Sequence, residues 1–431
     1  MQKSSVRTAA LAGAVTAIIA GALSGTPARA TEGYFQHGFS AIQKAEGGAG
    51  VANPEDVMTL AVNPAGLVDV GDGVEGGISL FSPRRQYSVP PGMGFVAPGT
   101  VNSNWNYFAI PNFGYSQQID GHSAWGIAMY GNGGMNTNYP AATANPACAA
   151  FGGGSGVYCD GKTGVNMVQM FIAAGYAWRA GNFSFGVAPT LALQMFDAKG
   201  LAAFSGLSSS PSNLTSGKIS YSYGGGVRVG ALWRVSPTFR LGLAGSMPMW
   251  TTEFQKYKGL FADRGGFNIP ANVTVGAAWD VVPDVTLMLD YKRIFYSAVN
   301  SVGNSMFVPK PFGADNGPGF GWKDVNAVAF GANWRVNPVW TLRAGYAHNT
   351  NPVRSEDVTL NILAPGVVTD HITAGVSARV DAHSTIDLAG SYMPTHSVSG
   401  PEVVPGLGPT GRTITLSMHQ YDLTVEWRYE L

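Results

Sequence analysis

From residue 173 onward the chain repeats one pattern five times, and this pattern limits what the chain can fold into. In each copy, a run of alternating apolar and polar residues ends in a tight turn, and a second alternating run begins. The copies are Ala173–Val187, Gly230–Leu243, Gly276–Leu289, Gly331–Gly345 and Val376–Gly390. Long alternating strands joined by short turns are typical of neighbouring β-hairpins. The pattern therefore predicts an antiparallel sheet built from adjacent hairpins.

Four of these hairpins carry a tryptophan just before the turn, namely Trp178, Trp233, Trp279 and Trp334. An indole ring combines an apolar body with a polar N–H, so tryptophan collects where hydrocarbon meets water. A row of tryptophans at one end of successive hairpins matches the aromatic girdle of an outer-membrane barrel. The sequence therefore predicts an all-β protein, folded as a transmembrane β-barrel.

The first thirty residues have the three parts of a secretory signal peptide. Lys3 and Arg7 make a basic start, residues 8–23 are apolar or small, and residues 28–30 (Ala-Arg-Ala) fit the cleavage pattern. The apolar run is shorter than the ~20 residues that a spanning helix needs. We therefore expect residues 1–30 to be removed from an exported protein. No later stretch is long and apolar enough for a spanning helix, which excludes a helical membrane protein.

The composition also fits a barrel that faces lipid. Charged residues make up 12% of the chain, against about 25% in soluble proteins. Lysine plus arginine equals aspartate plus glutamate, at 26 each. This balance indicates neither nucleic acid nor an acidic partner.

The alternation divides residues 73–431 into fourteen strands. Bacterial barrels have an even number of strands, short periplasmic turns and long outer loops, and here tight and long connections alternate. Both ends of the barrel are therefore expected in the periplasm. The predicted strands lie near residues 73–89, 104–118, 123–135, 165–180, 181–196, 217–236, 237–250, 271–282, 283–299, 322–337, 338–352, 369–381, 383–397 and 411–431.

The last strand contains a change of phase. Apolar residues occupy odd positions from Tyr421 to Leu431 but even positions from Ile414 to Met418. A slip of one residue turns every side chain to the other face, so we expect a bulge near His419 and Gln420.

Residues 31–72 precede the first strand and lack a clean period of two. A segment of this length at the periplasmic end of a fourteen-stranded barrel can fold into the lumen, which is otherwise open. The sequence therefore predicts an N-terminal hatch that plugs the barrel.

Cys148 and Cys159 are the only cysteines in the sequence and flank a glycine-rich stretch. In an exported protein they are expected to form a disulfide, which over so short a loop contributes about 3 kcal/mol in the chain-entropy model. Two reduced structural thiols are the alternative.

One apparent chemical motif does not have the context that its chemistry requires, and two others are absent from the sequence. Residues 156–163 match GxxxxGK[ST], but a glycine-rich stretch precedes them where a P-loop needs a buried strand. The seven histidines lack the spacing of a metal site. No GxSxG elbow occurs. We therefore expect no cofactor, no metal, no catalytic residue and no enzymatic activity.

Several segments together resemble a known family. These are Gly38–Leu67, Ile110–Ser116, Trp125–Tyr139, Gly164–Arg179, Phe267–Trp279 and Val339–Val353. In this order, over nearly all of the mature chain, they are similar to the FadL/TodX family of outer-membrane transporters for hydrophobic compounds. The resemblance implies a fourteen-stranded barrel with an N-terminal hatch inside, as the alternation also predicts. The chain departs from the usual terminal Phe of barrels and ends in Leu431.

The resemblance also implies roles for single residues. The hatch motif falls on Asn63, Pro64 and Ala65, with Asp56 at the family's acidic position. The inward kink of the third barrel strand, which opens a hole in the wall, falls on the stretch Gly131, Asn132, Gly133 and Gly134. Three glycines in four residues weaken a strand and permit a bend. Chance clustering of glycines is the alternative.

The resemblance also implies a ligand site between two outer loops, which correspond here to residues 194–207 and 249–266. Both segments are unusually apolar for exposed loops. Four cations there could pair with a carboxylate, although solvated loop charges are the favoured interpretation. The candidate residues are Phe196, Lys199, Leu201, Phe204, Leu207, Trp250, Phe254, Lys256, Tyr257, Lys258, Leu260, Phe261 and Arg264.

These features predict a passive outer-membrane channel for long-chain fatty acids or aromatic hydrocarbons, with lateral release through the wall. The residues do not decide between these two substrate classes. The expected partners are the hydrophobic substrate, outer-membrane lipid, lipopolysaccharide and the barrel assembly machinery, and a monomer is expected. A general porin for polar solutes and, less favoured, an outer-membrane lipid-modifying enzyme are the alternatives.

Overall fold

The alternating runs form the predicted sheet. In the computed structural model, sixteen strands in the described part of the chain make one antiparallel sheet. The structure describes residues 32–142, 144–151, 153–404 and 406–431, so the predicted signal peptide lies outside the described residues. The strands are β1 (Gly73–Val89), β2 (Gly99–Asn102), β3 (Phe108–Gln118), β4 (Ser123–Asn136), β5 (Gly164–Ala180), β6 (Phe183–Lys199), β7 (Ser220–Ser236), β8 (Phe239–Ser246), β9 (Trp250–Thr251), β10 (Asn272–Val282), β11 (Val285–Ile294), β12 (Val325–Arg335), β13 (Trp340–Asn349), β14 (Asp370–Arg379), β15 (Ser384–Val404) and β16 (Gly408–Glu430).

The barrel closes because β1 pairs with β16, from Gly73 opposite Glu430 to Ser88 opposite Thr415. Two strands, β2 and β9, are short additions that pair with β1 and β7. The other fourteen strands form a closed antiparallel barrel and correspond one to one to the predicted strands. The predicted fold class is therefore confirmed.

Short helices lie before β1 and in the outer loops. They are α1 (Ala41–Ala45), α2 (Thr59–Val62), α3 (Leu67–Val70), α4 (Ala262–Gly265), α5 (Asn300–Gly303) and α6 (Val358–Asn361). None of the helices in the described residues is long and apolar enough to cross a membrane. The long connections are named here L1 (90–107), L2 (137–163), L3 (200–219), L4 (247–271), L5 (295–324), L6 (350–369) and L7 (405–407).

Apolar side chains face outward around the barrel. Leu243, Leu289 and Leu423 are about half exposed, which places them against lipid. The four tryptophans of the repeated hairpins are 40–52% exposed and lie beside the tight turns, where an aromatic girdle was predicted. Inward positions of the same strands are buried and mostly polar or small.

The expected bulge in β16 is wrong. Its register with β1 is continuous past His419, and even-numbered residues face inward along both parts of the strand. Ile414, Leu416 and Met418 therefore point into the barrel rather than toward lipid. The irregularity lies in the partner strand, where the β15 register shifts between Met393 and His396. The apparent phase change arises because the inner wall of the barrel becomes apolar toward its outer end.

The segment from residue 32 to residue 70 packs inside the barrel. Helix α1 contacts β13–β16, whereas α2 and α3 contact β3–β5 on another side of the lumen. A 3-10 turn at Pro64–Gly66 contacts β5–β7. Strands from most of the circumference therefore surround this segment, which we call the hatch.

Candidate functional site: hatch, wall gap and outer groove

The hatch turn at Asn63 is held by three hydrogen bonds from one side chain. Asn63 Oδ1 accepts from Ala65 N (3.1 Å), which caps the 3-10 turn that Pro64 begins. Asn63 Nδ2 donates to Val51 O (2.7 Å) and to Ala231 O of β7 (3.1 Å). The same amide thus shapes the turn and fastens it to the barrel wall.

Glycines in the wall make room for this turn. A Cβ atom on Gly230 would overlap Asn63 Oδ1, and one on Gly186 would overlap the backbone of Pro64. Both glycines lie on inward positions of adjacent strands, β7 and β6. The wall and the hatch motif therefore fit only because these two positions lack side chains.

Buried ion pairs join the hatch to the barrel. Lys44 Nζ lies 2.9 Å from Asp422 Oδ2, and both side chains are at most 3% exposed. Arg343 Nε lies 3.1 Å from Glu46 Oε1, and its Nη2 lies 2.6 Å from Glu55 Oε2. Asp56, the predicted acidic residue, directly follows Glu55 in the hatch.

Asp56 is buried, and its Oδ1 accepts a hydrogen bond from Gln43 Nε2 (3.4 Å). A buried charge requires a partner or hydrogen bonds. The hatch is thus held in place by polar contacts as well as by packing.

The predicted kink coincides with a gap in the barrel wall. The β3–β4 ladder ends at Asn112 opposite Tyr130, although both strands continue beyond this pair. Against β5, the β4 register shifts between Gly131 and Gly133, so Asn132 is an extra residue in a bulge. The sequence did not single out Pro111, the first β3 residue past the ladder. Proline leaves no unpaired N–H at its own position on an open strand edge.

The start of the hatch covers this gap from inside. Gln36 N donates to Asn132 O (3.1 Å) and Gly134 N donates to Tyr34 O (3.1 Å), as neighbouring strands would. The Gln36 side chain also donates to Gly131 O. The bonds that β4 loses to β3 are therefore partly replaced by bonds to the hatch.

Little free space remains behind the gap. A cavity of about 10 Å³ lies there, and it holds no more than one water molecule. It is lined by Gly33 of the hatch, Gly134 and Met135 of β4, Trp322, Ala364, Pro365, Gly366 and Met418. In this conformation the gap is closed to a solute.

The aromatic residues predicted to bind ligand pack against one another instead. The Phe196 ring centroid lies 4.7 Å from Tyr257, 4.6 Å from Phe261 and 5.6 Å from Phe254. All four rings are buried. Burial raises the pKa of the Tyr257 hydroxyl, which donates to Lys218 O (2.9 Å), so this ring stays neutral. These residues form a core shared by the outer end of β6 and L4.

The remaining apolar candidates divide in the same way. Leu201 is buried, and Phe204 packs against Phe95, Tyr158 and Phe312, whereas Trp250 is 61% exposed. Leu260 is buried, and Leu207 lines a groove described below. Sequence patterns could not separate loop core from loop surface.

The four predicted cations do not gather at one place. Lys258 and Arg264 line the same polar pocket of about 420 Å³, together with Ser209, Ser210, Gly313, Ala314 and Asp315. Arg264 Nη2 lies 2.9 Å from Asp315 Oδ2, and both side chains are mostly exposed. Lys256 is exposed and donates to Ile219 O, and Lys199 is the last residue of β6, opposite Gly164 of β5.

An apolar groove of about 760 Å³ opens between L3, L5 and the β15–β16 hairpin. The sequence did not predict it, because its walls come from segments about 100 residues apart. Lys310 is the one charged residue among its described lining residues. The apolar lining includes Leu207, Met306, Phe307, Val308, Phe312, Val403, Val404 and five prolines at 309, 311, 318, 401 and 409.

The structure joins Cys148 to Cys159, with 5.1 Å between their Cα atoms. The bond lies within L2, beside the hydrogen bond from Asn145 Nδ2 to Phe95 O (2.9 Å). It therefore ties an outer loop together and lies away from the barrel wall.

Residues 36–424 match the family model of outer membrane protein transport proteins, OMPP1/FadL/TodX. The chain belongs to this family. It is therefore a transport protein of the bacterial outer membrane. A search of curated proteins found no match.

Solved structures of FadL/TodX-type proteins share the fold at low sequence identity. The toluene transporter TodX of P. putida is 17% identical, with a TM-score of 0.65. A FadL homologue of Pseudomonas aeruginosa is 14% identical, with a TM-score of 0.68. The toluene transporter TbuX of Ralstonia pickettii is 18% identical, with a TM-score of 0.61. In each case 92% of this chain and 99% of the other are covered.

Proposed function

We propose that this protein is a passive channel that takes up hydrophobic compounds and releases them sideways into the outer membrane. The interrupted β3–β4 ladder carries this proposal. A barrel wall normally leaves no open edge in lipid, because unpaired backbone groups there are costly. Here the edge is open beyond Asn112 and Tyr130, and the hatch covers it from inside.

The hatch makes a straight passage through the lumen unfavourable. Ion pairs such as Lys44–Asp422 hold it within the barrel, so a water-filled pore of the general porin type is not supported. An apolar solute gains roughly 25 cal/mol for each Å² of apolar surface that leaves water. Transfer from an apolar groove to membrane lipid needs no further energy source.

Capture is assigned to the apolar groove between L3, L5 and the β15–β16 hairpin. Its volume, about 760 Å³, lies within the range of small-molecule sites. Its apolar lining suits an alkyl chain or an aromatic ring. The names of TodX and TbuX, both toluene transporters, support aromatic hydrocarbons as one substrate class.

Replacing both Gly133 and Gly134 with Val tests lateral release. β-Branched residues favour a regular ladder, so the variant should straighten β4 and close the gap. We expect uptake of toluene and of a long-chain fatty acid to fall about 10-fold or more. The strand-propensity scale spans about 1 kcal/mol for each residue, and two residues are changed. Uptake is measured in cells, and folding by the heat-dependent gel mobility of the barrel.

The matched control is Gly390→Val in β15, where an added Cβ would meet no atom within 4 Å. This variant should transport normally, since it adds a valine to the wall far from the gap. A correctly folded Gly133/Gly134 variant with unchanged uptake would contradict lateral release.

The polar pocket beside the groove is the proposed site for a carboxylate head group. Lys258 and Arg264 both line it, and bringing a carboxylate to an apolar site requires a cation nearby. The double variant K258Q/R264Q should weaken binding of a fatty acid by about 2- to 5-fold, as expected for exposed ion pairs. Binding of toluene should not change. Both are measured by titration of purified protein.

The pair K199Q/K256Q is the control, because it removes the same charge from positions outside this pocket, at the end of β6 and in L4. If both double variants weaken fatty acid binding equally, general surface charge and not the pocket attracts the anion. If neither does, these cations have no part in binding, and a neutral hydrocarbon is the favoured substrate.

A further inference from the structure

We call the end of the gap toward the outer loops its upper end, and the end at Asn112 and Tyr130 its lower end. Hydrogen bonds close the gap at both ends. Asn104 N of L1 donates to Asn138 O (2.9 Å), and Asn138 N donates to Ser103 Oγ (3.0 Å). The number of residues from Asn104 to Asn112 equals that from Tyr130 to Asn138. The two strands thus separate and then meet again in the register of an uninterrupted hairpin. The gap is a window with two bonded ends.

Arg85 of β1 holds the upper end together. Its side chain is 2% exposed and points inward. Nη1 donates to Asn136 O at the end of β4 (2.7 Å), whereas Nη2 donates to Ser103 Oγ (3.3 Å) and to Trp105 O of L1. Ser103 N in turn donates to Arg85 O (2.9 Å). One guanidinium therefore connects three segments: β1, L1 and the upper end of β4.

The acceptors of Arg85 differ from those of three other buried cations of the barrel, although buried Arg228 also binds uncharged oxygens, those of Val62 and Asn272. Lys44, Arg343 and Arg412 each face a carboxylate. No salt bridge involves Arg85 within the described ranges, and its hydrogen bonds go to carbonyl and hydroxyl oxygens. A planar guanidinium with several fixed donors suits this bridging of backbone segments.

We propose that Arg85 is a positioning residue that sets the upper limit of the window and so restricts the size of the molecules that leave through it. The inference rests on lateral release as the proposed function. The glycine-rich part of β4 that precedes Asn136 has little stiffness of its own. The position of Asn136 therefore depends mainly on its hydrogen bonds. Arg85 supplies one of these bonds from β1, outside the β3–β4 hairpin.

The test compares a small and a bulky neutral substrate in the full-length protein. In R85M, the ratio of pyrene uptake to toluene uptake should rise about 2- to 10-fold, the range that corresponds to one net hydrogen bond. R85K keeps the charge but not the fork of donors, so its ratio should lie between those of R85M and the native protein. Heat-dependent gel mobility checks that each barrel is folded.

R412M is the matched control. Arg412 is also a buried arginine that binds L1, through Pro90 O (3.2 Å), Gly92 O (3.1 Å) and Val96 O (2.6 Å). These contacts lie in the first part of L1, away from the window, so R412M should leave the uptake ratio unchanged. S103A removes the hydroxyl shared by Arg85 and Asn138 with less disturbance. S103A should therefore also raise the ratio of pyrene uptake to toluene uptake. It serves as the test if R85M does not fold.

Three results would overturn the inference. The first is an unchanged ratio in folded R85M or S103A while G133V/G134V still blocks uptake, which leaves lateral release intact. The second is an equal rise in R412M. The third is weaker binding of fatty acid anions by R85M with no change for neutral substrates, which would make Arg85 a receptor for the anion. If folded G133V/G134V itself takes up substrate normally, the proposed function, lateral release, is contradicted.

Discussion

The side chain of Asn63 connects the hatch turn to the barrel wall, and its removal should loosen the hatch. In Asn63→Ala, the buried carbonyl of Val51 and the partly buried carbonyl of Ala231 each lose a donor. Leaving buried acceptors without partners costs about 1–3 kcal/mol each. We expect hydrogen exchange in peptides covering residues 41–70 to become at least several-fold faster while the barrel strands stay protected. Exchange followed by mass spectrometry measures this.

Asn361→Ala supplies a control with the same number of bonds. Asn361 Nδ2 donates to Phe320 O (2.6 Å) and Asp357 O (2.9 Å), and its Oδ1 accepts from Trp322 Nε1 (2.6 Å). This variant should loosen L6 and L5 and leave exchange of residues 41–70 unchanged, because the hatch residue that Trp322 packs against, Tyr34, precedes this range. Slow, unchanged exchange of the hatch in Asn63→Ala would mean that its ion pairs alone are sufficient to hold it.

Single residues were predictable from the sequence only where a motif marks them. Asn63 and the glycines of the kink belong to contiguous patterns. The structure places Asn63 at the hatch turn and the glycines beside the end of the β3–β4 ladder. Arg85 and Pro111 carry no local signal. Their importance comes from Asn136 and from the end of the β3–β4 ladder, which are distant in sequence and become neighbours only in the folded barrel.

At the scale of elements, the fourteen strands were predictable because their signal is local. Alternation with a period of two and tight turns describe each hairpin without reference to the rest of the chain. The error in β16 marks the limit of this signal. Alternation shows that the two faces of a strand differ, but it does not show which face points into the lumen. Ile414 and Leu416 face an apolar inner wall, so their pattern resembled that of a lipid face.

The outer loops were the least predictable elements. Phe196, Tyr257 and Phe261 were correctly recognised as an unusual apolar set, but they satisfy one another in a loop core. The open groove uses L5 and the tips of β15 and β16 in place of L4. Contacts between loops depend on which strand ends the closed barrel brings together, and no sequence period encodes those contacts.

For the whole molecule, function requires that the hatch stays inside a barrel that folds around it. The buried Lys44–Asp422 pair joins the two parts across the lumen, and Lys44 Nζ also donates to Ser79 Oγ of β1 (2.6 Å). In Lys44→Met, Asp422 remains as a buried charge without its partner. Breaking one side of a buried pair costs about 3–5 kcal/mol, so we expect the hatch to leave its site more often. Permeation of small sugars in a liposome swelling assay should then rise.

The double variant K44M/D422L separates this effect from loss of packing. Replacing both partners of a buried pair with apolar residues is often neutral or stabilising, because no uncompensated charge remains. The double variant should therefore block sugars nearly as well as the native protein. D422L alone should leak, since Lys44 then lacks its carboxylate. If K44M/D422L leaks as much as K44M, the space filled by Lys44 and not its charge holds the hatch. If none of the three variants leaks while gel mobility reports folded barrels, the remaining contacts, those of Asn63 and Arg343 among them, keep the lumen closed without this pair.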